Sequence, residues 1–374
     1  MSRIVLAMSG GVDSSVAAYL LRQEGHEVIG IFMRHGEASP AHCGADTSPS
    51  ASALPIIEPA HSPHQHGCCT AADAHDARRV ADALDIPFYA IDFRHEFGRI
   101  IDYFVDEYRG GRTPNPCVVC NNWLKFGKLW EYARSIDAEY IATGHYAQVC
   151  ASGRQDELPA LRKGIDATKD QSYVLFGIDR QLLPMLNFPV GGYRKTEIRR
   201  IAAEIGMRVA EKKDSQEICF VPDRDYAGFI RRRAQGDDRS GEIVTTGGAV
   251  VGHHDGVERF TVGQRKGLRV ALGERRYVLR IDSDSRRVVI GHRDELAKSE
   301  LEANGANWLV DPPPRPFRCD VKIRYNSRPV PAIVECHGND RLAVRFDEPQ
   351  YGVSPGQAVV SYEGDRVLGG GWIK

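Results

Sequence analysis

Residues 9–15, with the sequence Ser-Gly-Gly-Val-Asp-Ser-Ser, have the composition of an anion-binding loop. The two glycines let the backbone approach an anion closely, and the helix expected to start at Val12 offers free N–H groups and the positive end of its dipole. Asp13 is the one residue of the loop that would repel an anion. An acid beside phosphates indicates Mg²⁺ coordination or hydrogen bonds to backbone amides. We expect this loop to bind a pyrophosphate group. No Gly-x-x-x-x-Gly-Lys-[Ser/Thr] string occurs, so a kinase-like phosphate loop is excluded.

Three cysteines form a second candidate site. Cys117 and Cys120 make a C-x-x-C pair after a Pro-Asn-Pro turn, and Cys219 lies much further along the chain. A cysteine close to a helix start is favoured as the thiolate, which is the nucleophilic form. Zinc would need a second ligand pair at suitable spacing, and none is found, so no metal is assigned. Cys219 taken alone is as consistent with a buried, unreactive cysteine as with a functional one.

The elements around the loop predict an α/β domain. An apolar strand over residues 3–8 precedes the loop, a helix with apolar spacing covers residues 12–23, and another strand covers residues 27–33. This β–loop–α–β order recurs and is typical of a parallel, Rossmann-like sheet. Met33 ends the second predicted strand, and Gly144 directly follows a later one. Ligands collect at the carboxyl ends of strands in open α/β sheets.

The remaining chain divides by composition. Residues 36–67 are rich in Ala, Ser, Pro and His and lose all periodicity, which predicts an inserted flexible loop. After residue 220, short alternating strands predict two small all-β, barrel-like domains. We therefore predict a catalytic domain over residues 1–220, a central β domain over residues 221–297 and a C-terminal β-barrel domain over residues 298–374.

Bulk composition limits the class of protein. The chain has 374 residues and a net charge of −1, so a nucleic-acid surface must be a local patch. Nine cysteines at irregular spacing do not form a disulfide framework. No signal peptide and no apolar run of membrane-spanning length is found. These features predict a cytoplasmic protein with no membrane partner.

Six motifs together resemble a known family. They are SGGVDSS, TPNPCVVCN, ATGHYA, KDQSYVL, GGYRKTEIR and DSQEICF, in this order. The first resembles the PP-loop of ATP pyrophosphatases, which split ATP into AMP and pyrophosphate. The combination resembles the tRNA-specific 2-thiouridylase family (MnmA/TrmU type) over nearly the whole chain outside the insertion.

The resemblance implies ATP-dependent sulfur transfer to tRNA. ATP, with Mg²⁺, adenylates the C2 oxygen of the wobble uridine. Cys219 carries a persulfide received from a sulfur-relay protein, and Cys120 is the nucleophile that leaves a transient Cys120–Cys219 disulfide. The implied ATP-binding residues are Ala7, Met8, Ser9, Gly10, Gly11, Val12, Asp13, Ser14, Ser15, Met33 and Gly144.

Cys117 departs from the pattern of some family members, which have Asp at this position. Cys117 is therefore a candidate catalytic residue, and the acid/base role that the resemblance gives to that Asp is not assigned to it. The thiols of Cys117, Cys120 and Cys219 could instead hold a [4Fe–4S] cluster with one open iron. The persulfide route is our first hypothesis, and the cluster is the alternative.

The tRNA contacts implied by the resemblance are spread along the chain. They are Asn115, Pro116, Cys117, His145, Lys169, Asp170, Gln171, Arg324, Tyr325 and Gln357. An Arg–Tyr pair such as residues 324–325 can stack on and hydrogen-bond to a splayed base. Two other functions stay open. One is another PP-loop ligase or tRNA-modifying enzyme, and the other is an RNA-binding or nucleotide-sensing module without catalysis.

Overall fold

The computed structural model describes residues 1–35, 70–151, 158–212, 214, 218–221, 223, 225–234, 238–312, 315–338 and 340–374. The predicted insertion over residues 36–67 lies outside these described residues, as does the stretch 215–217 of the DSQEICF motif. Among the described helices, none is long and apolar enough to cross a membrane.

A parallel sheet forms the centre of the N-terminal part. In chain order the strands of this part are β1 (Arg3–Ala7), β2 (Glu27–Arg34), β3 (Phe88–Asp92), β4 (Tyr140–Thr143), β5 (Ala147–Cys150), β6 (Ala160–Lys163) and β7 (Leu186–Asn187). The sheet order is β3-β2-β1-β4-β7, and all four pairings are parallel. The order reverses between β1 and β4, so the crevice beyond their carboxyl ends is the expected ligand position. The predicted Rossmann-like fold is confirmed.

Helices cover both faces of this sheet. They are α1 (Val12–Gln23), α2 (Ala71–Ala83), α3 (Arg94–Arg109), α4 (Pro116–Val119), α5 (Leu129–Ser135), α6 (Lys195–Glu204) and α7 (Tyr226–Ala234). Single 3-10 segments cover Ser172–Leu175, Arg180–Met185, Arg208–Glu211, Val257–Arg259 and Arg293–Leu296. Sequence reasoning missed α3, although its buried side chains, among them Phe97, Ile101 and Phe104, have helical spacing.

A continuous helical stretch carries the C-x-x-C pair. It begins with α4, widens to a π-helix over Cys120–Lys128, and ends with α5. Asn115 caps the start, since its Oδ1 accepts a hydrogen bond from the Val118 amide at 3.4 Å, and Pro116 occupies the first turn. Such π-helical segments are rare and frequently lie at functional sites.

The central region is a four-stranded sheet. Its strands are β8 (Gly241–Thr245), β9 (Val250–His254), β10 (Tyr277–Asp282) and β11 (Arg287–Gly291), in the order β10-β11-β8-β9. The β11–β8 pairing is parallel and the other two are antiparallel. Ile243, Val278 and Val288 are among the residues of its small apolar core.

The C-terminal region is a closed antiparallel barrel. Its strands are β12 (Ala297–Trp308), β13 (Phe317–Lys322), β14 (Val330–His337), β15 (Arg341–Tyr351), β16 (Ala358–Glu363) and β17 (Arg366–Ile373). The β12–β17 pairing closes the ring, and β17 also pairs with β6 through Arg366 and Arg162. The barrel is therefore fastened to the N-terminal part by a shared sheet edge.

Candidate active site

The loop between β1 and α1 requires glycine at position 10, because of its backbone conformation and its close packing. Gly10 has φ +73°, and a Cβ there would lie 2.2 Å from the backbone oxygen of Asp73. Gly11 precedes α1 with an extended backbone and makes no side-chain cap. No side-chain cap from Gly11 therefore satisfies the amides at the start of α1, where the helix dipole favours an anion.

Serine hydroxyls close the loop on itself. The Ser14 Oγ accepts a hydrogen bond from the Ser9 amide at 3.2 Å and donates to the Gly11 carbonyl at 3.2 Å. The Ser15 Oγ donates to the same carbonyl at 2.8 Å. Ser14 and Ser15 are buried, so these hydroxyls fix the shape of the loop before any ligand arrives.

The other predicted ATP-binding residues surround this loop. A Cβ at Gly144, just after β4, would lie 2.8 Å from the Ser14 amide nitrogen, so the end of β4 packs directly on the first turn of α1. Ala7 and Met8 are buried, and the Met8 amide donates to the Ile31 carbonyl at 2.8 Å. Met33 lies in β2 and is partly buried against the core. Ala7 and Met33 belong to one apolar core and Met8 to a second.

Ion pairs connect the loop to the segment before Cys219. The Lys195 ammonium, 7% exposed, lies 2.8 Å from both carboxylate oxygens of Asp13 and 2.8 Å from Asp214 Oδ1. Asp214 is also paired with Lys169 at 2.7 Å and Arg199 at 3.0 Å. Burial opposes ionisation of Asp214, but the hydrogen bonds from Lys169 and Lys195 lower its pKa to about 2. The carboxylate is therefore fully charged at pH 7.

Two further groups hold the loop. The Tyr146 hydroxyl donates to Asp13 Oδ1 at 2.6 Å, and burial together with that carboxylate raises the pKa of Tyr146. The Lys212 Nζ donates to the Gly10 carbonyl at 2.9 Å and to Asp73 and Asp76 at 2.7 Å each. Burial disfavours the charged form of Lys212, but the bonds to both aspartates raise its pKa.

These network residues were missed as site residues, although signals existed. Tyr146, Lys195 and Asp214 lie in the motifs ATGHYA, GGYRKTEIR and DSQEICF. The motifs indicated a family, but nothing in their spacing showed that their charged side chains meet at Asp13. That meeting depends on the order of the strands.

The three predicted catalytic cysteines differ in exposure. Cys117 is exposed on α4, whereas Cys120 and Cys219 are partly buried. Cys120 and Cys219 both border the large apolar core that includes α3. Phe220 anchors the Cys219 segment, because its ring packs edge-on against Phe97 and Phe104 at 5.7 and 5.1 Å.

Several residues predicted to contact tRNA make hydrogen bonds or ion pairs within the protein. Lys169 pairs with Asp214, and the Asp170 carboxylate accepts hydrogen bonds from the Gly164 amide and from Ser172. The Gln171 Oε1 accepts from the Tyr146 amide at 2.9 Å. These side chains fix the segment beside the nucleotide loop.

His145 lies in the interior, at 6% exposure. Its Nδ1 is 2.6 Å from Thr143 Oγ1, and the rings of Phe126 and Phe188 flank it. Burial, and secondarily the charge of Lys125, lower the pKa of His145 well below its ordinary value. A direct contact between this ring and tRNA therefore requires a rearrangement.

Of the barrel residues predicted to contact tRNA, two bond within the protein and one is exposed. The Gln357 Nε2 donates to the carbonyls of Thr113 and Pro114 at 2.9 and 3.3 Å, which ties the barrel to the turn before Cys117. The Arg324 guanidinium is half-buried and donates to the Val262 carbonyl at 3.0 Å and to Ser354 Oγ at 2.9 Å. Tyr325, by contrast, is 37% exposed.

The three cysteines and Asp13 are the candidate metal-binding groups of this region. Within the described ranges, no group of three or more His, Cys, Asp or Glu side chains could hold a metal ion. Cys117, Cys120 and Cys219 are thus not gathered as cluster ligands. Asp13, the candidate for Mg²⁺, is occupied by the Lys195 ammonium and the Tyr146 hydroxyl, so these residues do not fit a resident ion.

The parallel sheet, the loop at its switch point and the two β regions define a Rossmann-like PP-loop protein with appended β domains. Three family profiles match it: the tRNA methyl transferase HUP domain over residues 2–223, the tRNA methyl transferase PRC-barrel domain over residues 228–292 and the aminomethyltransferase beta-barrel domain over residues 298–373.

Curated relatives match over the full length. The tRNA-specific 2-thiouridylase MnmA of Rhodopirellula baltica is 52% identical over 390 residues, covering 100% of this chain and 96% of that protein. Its counterparts from Geotalea uraniireducens and Geobacter metallireducens are 48% and 47% identical, covering 100% and 99% of this chain and 95% and 96% of those proteins. The chain belongs to the tRNA-specific 2-thiouridylase family.

Proposed function

We propose that this chain is an ATP-dependent tRNA-uridine 2-sulfurtransferase that converts the wobble uridine to 2-thiouridine. The observation that carries the proposal is the run of ion pairs Asp13–Lys195–Asp214, which links the anion-binding loop to the segment that precedes Cys219. An adenylation site and a sulfur-carrying cysteine must work on one base, and this run connects them. The names of the relatives support the same substrate and product.

The first step is adenylation of the base. The C2 oxygen of uridine attacks the α-phosphorus of ATP, the bond to the bridging oxygen breaks, and pyrophosphate leaves. The amides at the start of α1 and its dipole stabilise the phosphate charge. We assign ATP binding to residues 7–15 with Met33 and Gly144, and Lys195 and Lys212 position the loop.

The second step transfers sulfur. The terminal sulfur of a Cys219 persulfide attacks C2, and AMP leaves with the C2 oxygen. The Cys120 thiolate then attacks the Cys219 Sγ, the S–S bond breaks, and its electron pair remains on the sulfur bound to C2. A Cys120–Cys219 disulfide results, and a dithiol reductant returns it to thiols. A sulfur-relay protein restores the persulfide.

The residues that the structure describes do not form a site for a resident metal ion or cluster. Mg²⁺ enters with ATP as part of the substrate, since Asp13 already has a cationic partner. No step is assigned to an iron–sulfur cluster. We place the reaction in the cytoplasm, where thiols stay reduced, and we propose tRNA contacts by Asn115, Pro116, Cys117 and Tyr325 around the base. The proposed domains end after residues 220 and 297.

The test is a thiolation assay with an unmodified tRNA transcript, ATP, a persulfide donor and a dithiol. Nucleoside mass spectrometry measures 2-thiouridine, and a coupled assay measures pyrophosphate. Cys120→Ser and Cys219→Ser are each expected to lower 2-thiouridine by more than ~10³-fold, because the transferring sulfur or the resolving thiolate is lost. Pyrophosphate release during the first turnover should persist, because adenylation precedes sulfur transfer.

Two variants serve as controls. Cys336→Ser removes a thiol from the barrel and should retain full thiolation. Cys117→Asp should retain at least part of the activity on the persulfide route. Abundant product from Cys219→Ser would reject the persulfide, and loss of both iron and activity in Cys117→Asp would favour the cluster.

A further inference from the structure

Lys322, at the end of β13, is a buried residue whose ammonium has no hydrogen-bonded anionic or carbonyl partner in the part of the chain that the structure describes. The residue is 8% exposed. Its Nζ lies 5.7 Å from the ring centre of Tyr173 and 5.9 Å from that of Tyr325. Across the described ranges its ammonium makes no hydrogen bond or ion pair. Burial, its dominant influence, lowers the pKa of Lys322.

The nearby acid is not a close partner in this structure. Asp170 attracts Lys322, but within the described residues it makes no hydrogen bond or ion pair with the ammonium; its oxygens accept hydrogen bonds from the Gly164 amide at 3.2 Å and from the Ser172 amide and hydroxyl at 3.0 Å. Lys163, a second cation in the same region, donates to the Gly364 carbonyl at 2.8 Å and further disfavours the charge of Lys322. Ring contacts offset only part of the cost of burying an ammonium. The surroundings of Lys322 are therefore electrostatically incomplete.

Lys322 lies next to one of the residues proposed to contact tRNA. Tyr325 lies against Lys322 and is itself 37% exposed. Burial, followed by the charges of Asp170 and Cys117, raises the pKa of Tyr325 to about 12. The Tyr325 ring lies 6.1 Å from that of Tyr173, and the segment Ser172–Leu175 contacts α4, the helix that carries the exposed Cys117. The neighbouring Arg324, the cation that the sequence favoured, is already engaged with Val262 and Ser354.

We propose that Lys322 binds a phosphate oxygen of the nucleotide held at Cys117 and Tyr325. This site rests on the proposed function. A phosphate supplies both the negative charge and the hydrogen-bond acceptors that the ammonium lacks. The phosphate belongs either to the tRNA backbone or to the adenylate on the base, and the two sources share this chemistry.

The test measures binding of an unmodified tRNA transcript without ATP, over 50 to 300 mM KCl, by fluorescence anisotropy. For a backbone phosphate, Lys322→Gln is expected to weaken binding about tenfold and to reduce the slope of log K against log [salt] by about one. Lys322→Arg should restore most of the binding. Lys163→Gln, which removes a nearby cation that has its own acceptor, should change the dissociation constant less than about twofold.

The second arm measures pyrophosphate release at saturating tRNA. If tRNA binding of Lys322→Gln is unchanged but release falls about tenfold, the phosphate is that of the adenylate. If both quantities are unchanged, the site does not exist. A loss of affinity with an unchanged salt slope also overturns the proposal, because it indicates a neutral oxygen as the ligand.

Thermal unfolding separates this role from a structural one. Lys322→Met removes a largely buried lysine that has no hydrogen-bonded counter-charge among the described residues, and it is expected to raise the Tm by about 1–3 °C while it weakens tRNA binding or adenylation. A lowered Tm would mean that Lys322 supports the fold, and would contradict the proposal. If wild-type protein thiolates tRNA but Lys322→Gln is equally active, only this site fails. If binding depends on Lys322 but wild-type protein forms no 2-thiouridine, only the proposed function fails.

Discussion

Lys195 and Lys322 are both buried, at 7% and 8% exposure, but their surroundings differ. Lys195 lies between two carboxylates, 2.8 Å from Asp13 and 2.8 Å from Asp214. Lys322 is surrounded by the rings of Tyr173 and Tyr325, with no carboxylate in contact within the described residues. One lysine belongs to the nucleotide end of the site, and the other to the junction of the barrel with the α/β domain.

The difference separates a preorganised site from one that a ligand completes. At the nucleotide end, charges and hydroxyls are paired before ATP arrives, so little reorganisation remains for the reaction. At the barrel end, the ammonium has no hydrogen-bonded counter-charge among the described residues and Cys117 is exposed, so we expect the favourable interactions to appear only when the polyanionic substrate binds. We infer that ATP binding depends on a rigid loop and tRNA binding on a charge left unsatisfied.

The largest effect is expected from changing the rigid loop. Gly10→Ala places a methyl group 2.2 Å from the Asp73 carbonyl oxygen, where only backbone movement can relieve the clash. We expect tRNA-dependent pyrophosphate release to fall by about 100-fold or more, since a small misplacement of a catalytic loop has effects of this size. Binding of tRNA should remain within about twofold of wild type.

Gly25→Ala is the matched control for this change. Gly25 has φ +81° but nothing within 4 Å of the added methyl group, so only backbone strain is introduced. A stability loss of about 1 kcal/mol with normal pyrophosphate release is expected. If Gly10→Ala releases pyrophosphate as fast as Gly25→Ala, the loop is not preorganised and the comparison fails.

Changing the two lysines in the same way tests the comparison itself. Lys195→Met leaves Asp13 without its cation and should destabilise the protein by about 2 kcal/mol, with a roughly tenfold to 100-fold loss of pyrophosphate release. Lys322→Met should instead stabilise the fold. Urea unfolding of both variants measures the sign.

A double-mutant cycle sharpens this result. Asp13→Asn combined with Lys195→Met should cost less than the sum of the two single changes, because the pair is removed together. Equal destabilisation by Lys195→Met and Lys322→Met would show that both lysines are structurally paired and that the distinction is wrong.

The sequence predicted the parts of the fold that depend on local pattern. The apolar run of β1, the glycine-rich loop and the amphipathic α1 each follow from adjacent residues, and the structure confirms them. Helix α3 had the same kind of signal and was overlooked. The closed barrel was expected from alternating strands, but its pairing with β6 joins residues far apart in sequence and has no local signal.

Charge pairing could not be predicted for the same reason. Asp13, Lys195 and Asp214 come from three distant segments, and only the strand order of the sheet brings them together. His145 and Gln357 were expected at the tRNA surface because they resemble tRNA-contacting positions of the family. In the structure one is buried and the other bonds to the chain itself. The resemblance therefore did not indicate which contacts these side chains make within the protein.

The smallest effect is expected from changing Gln357. Whether the saturated rate or the affinity for tRNA changes distinguishes a residue that positions the turn before Cys117 from one that binds tRNA directly. Gln357→Ala removes the hydrogen bonds to the Thr113 and Pro114 carbonyls, while the Tyr173 hydroxyl still holds the barrel through the Ala358 carbonyl at 2.8 Å. We expect a stability loss of about 1 kcal/mol. Thiolation at saturating tRNA should fall about threefold to tenfold, because the turn before Cys117 is less firmly positioned and misplaced thiols react more slowly. If Gln357 binds tRNA directly, the dissociation constant for tRNA should rise instead, with the saturated rate unchanged. Gln350→Ala, on an exposed part of the same barrel, controls for loss of an amide. Single-turnover thiolation over a range of tRNA concentrations separates the two outcomes. If only the affinity for tRNA changes, Gln357 belongs with Lys322 to the part of the site that tRNA completes.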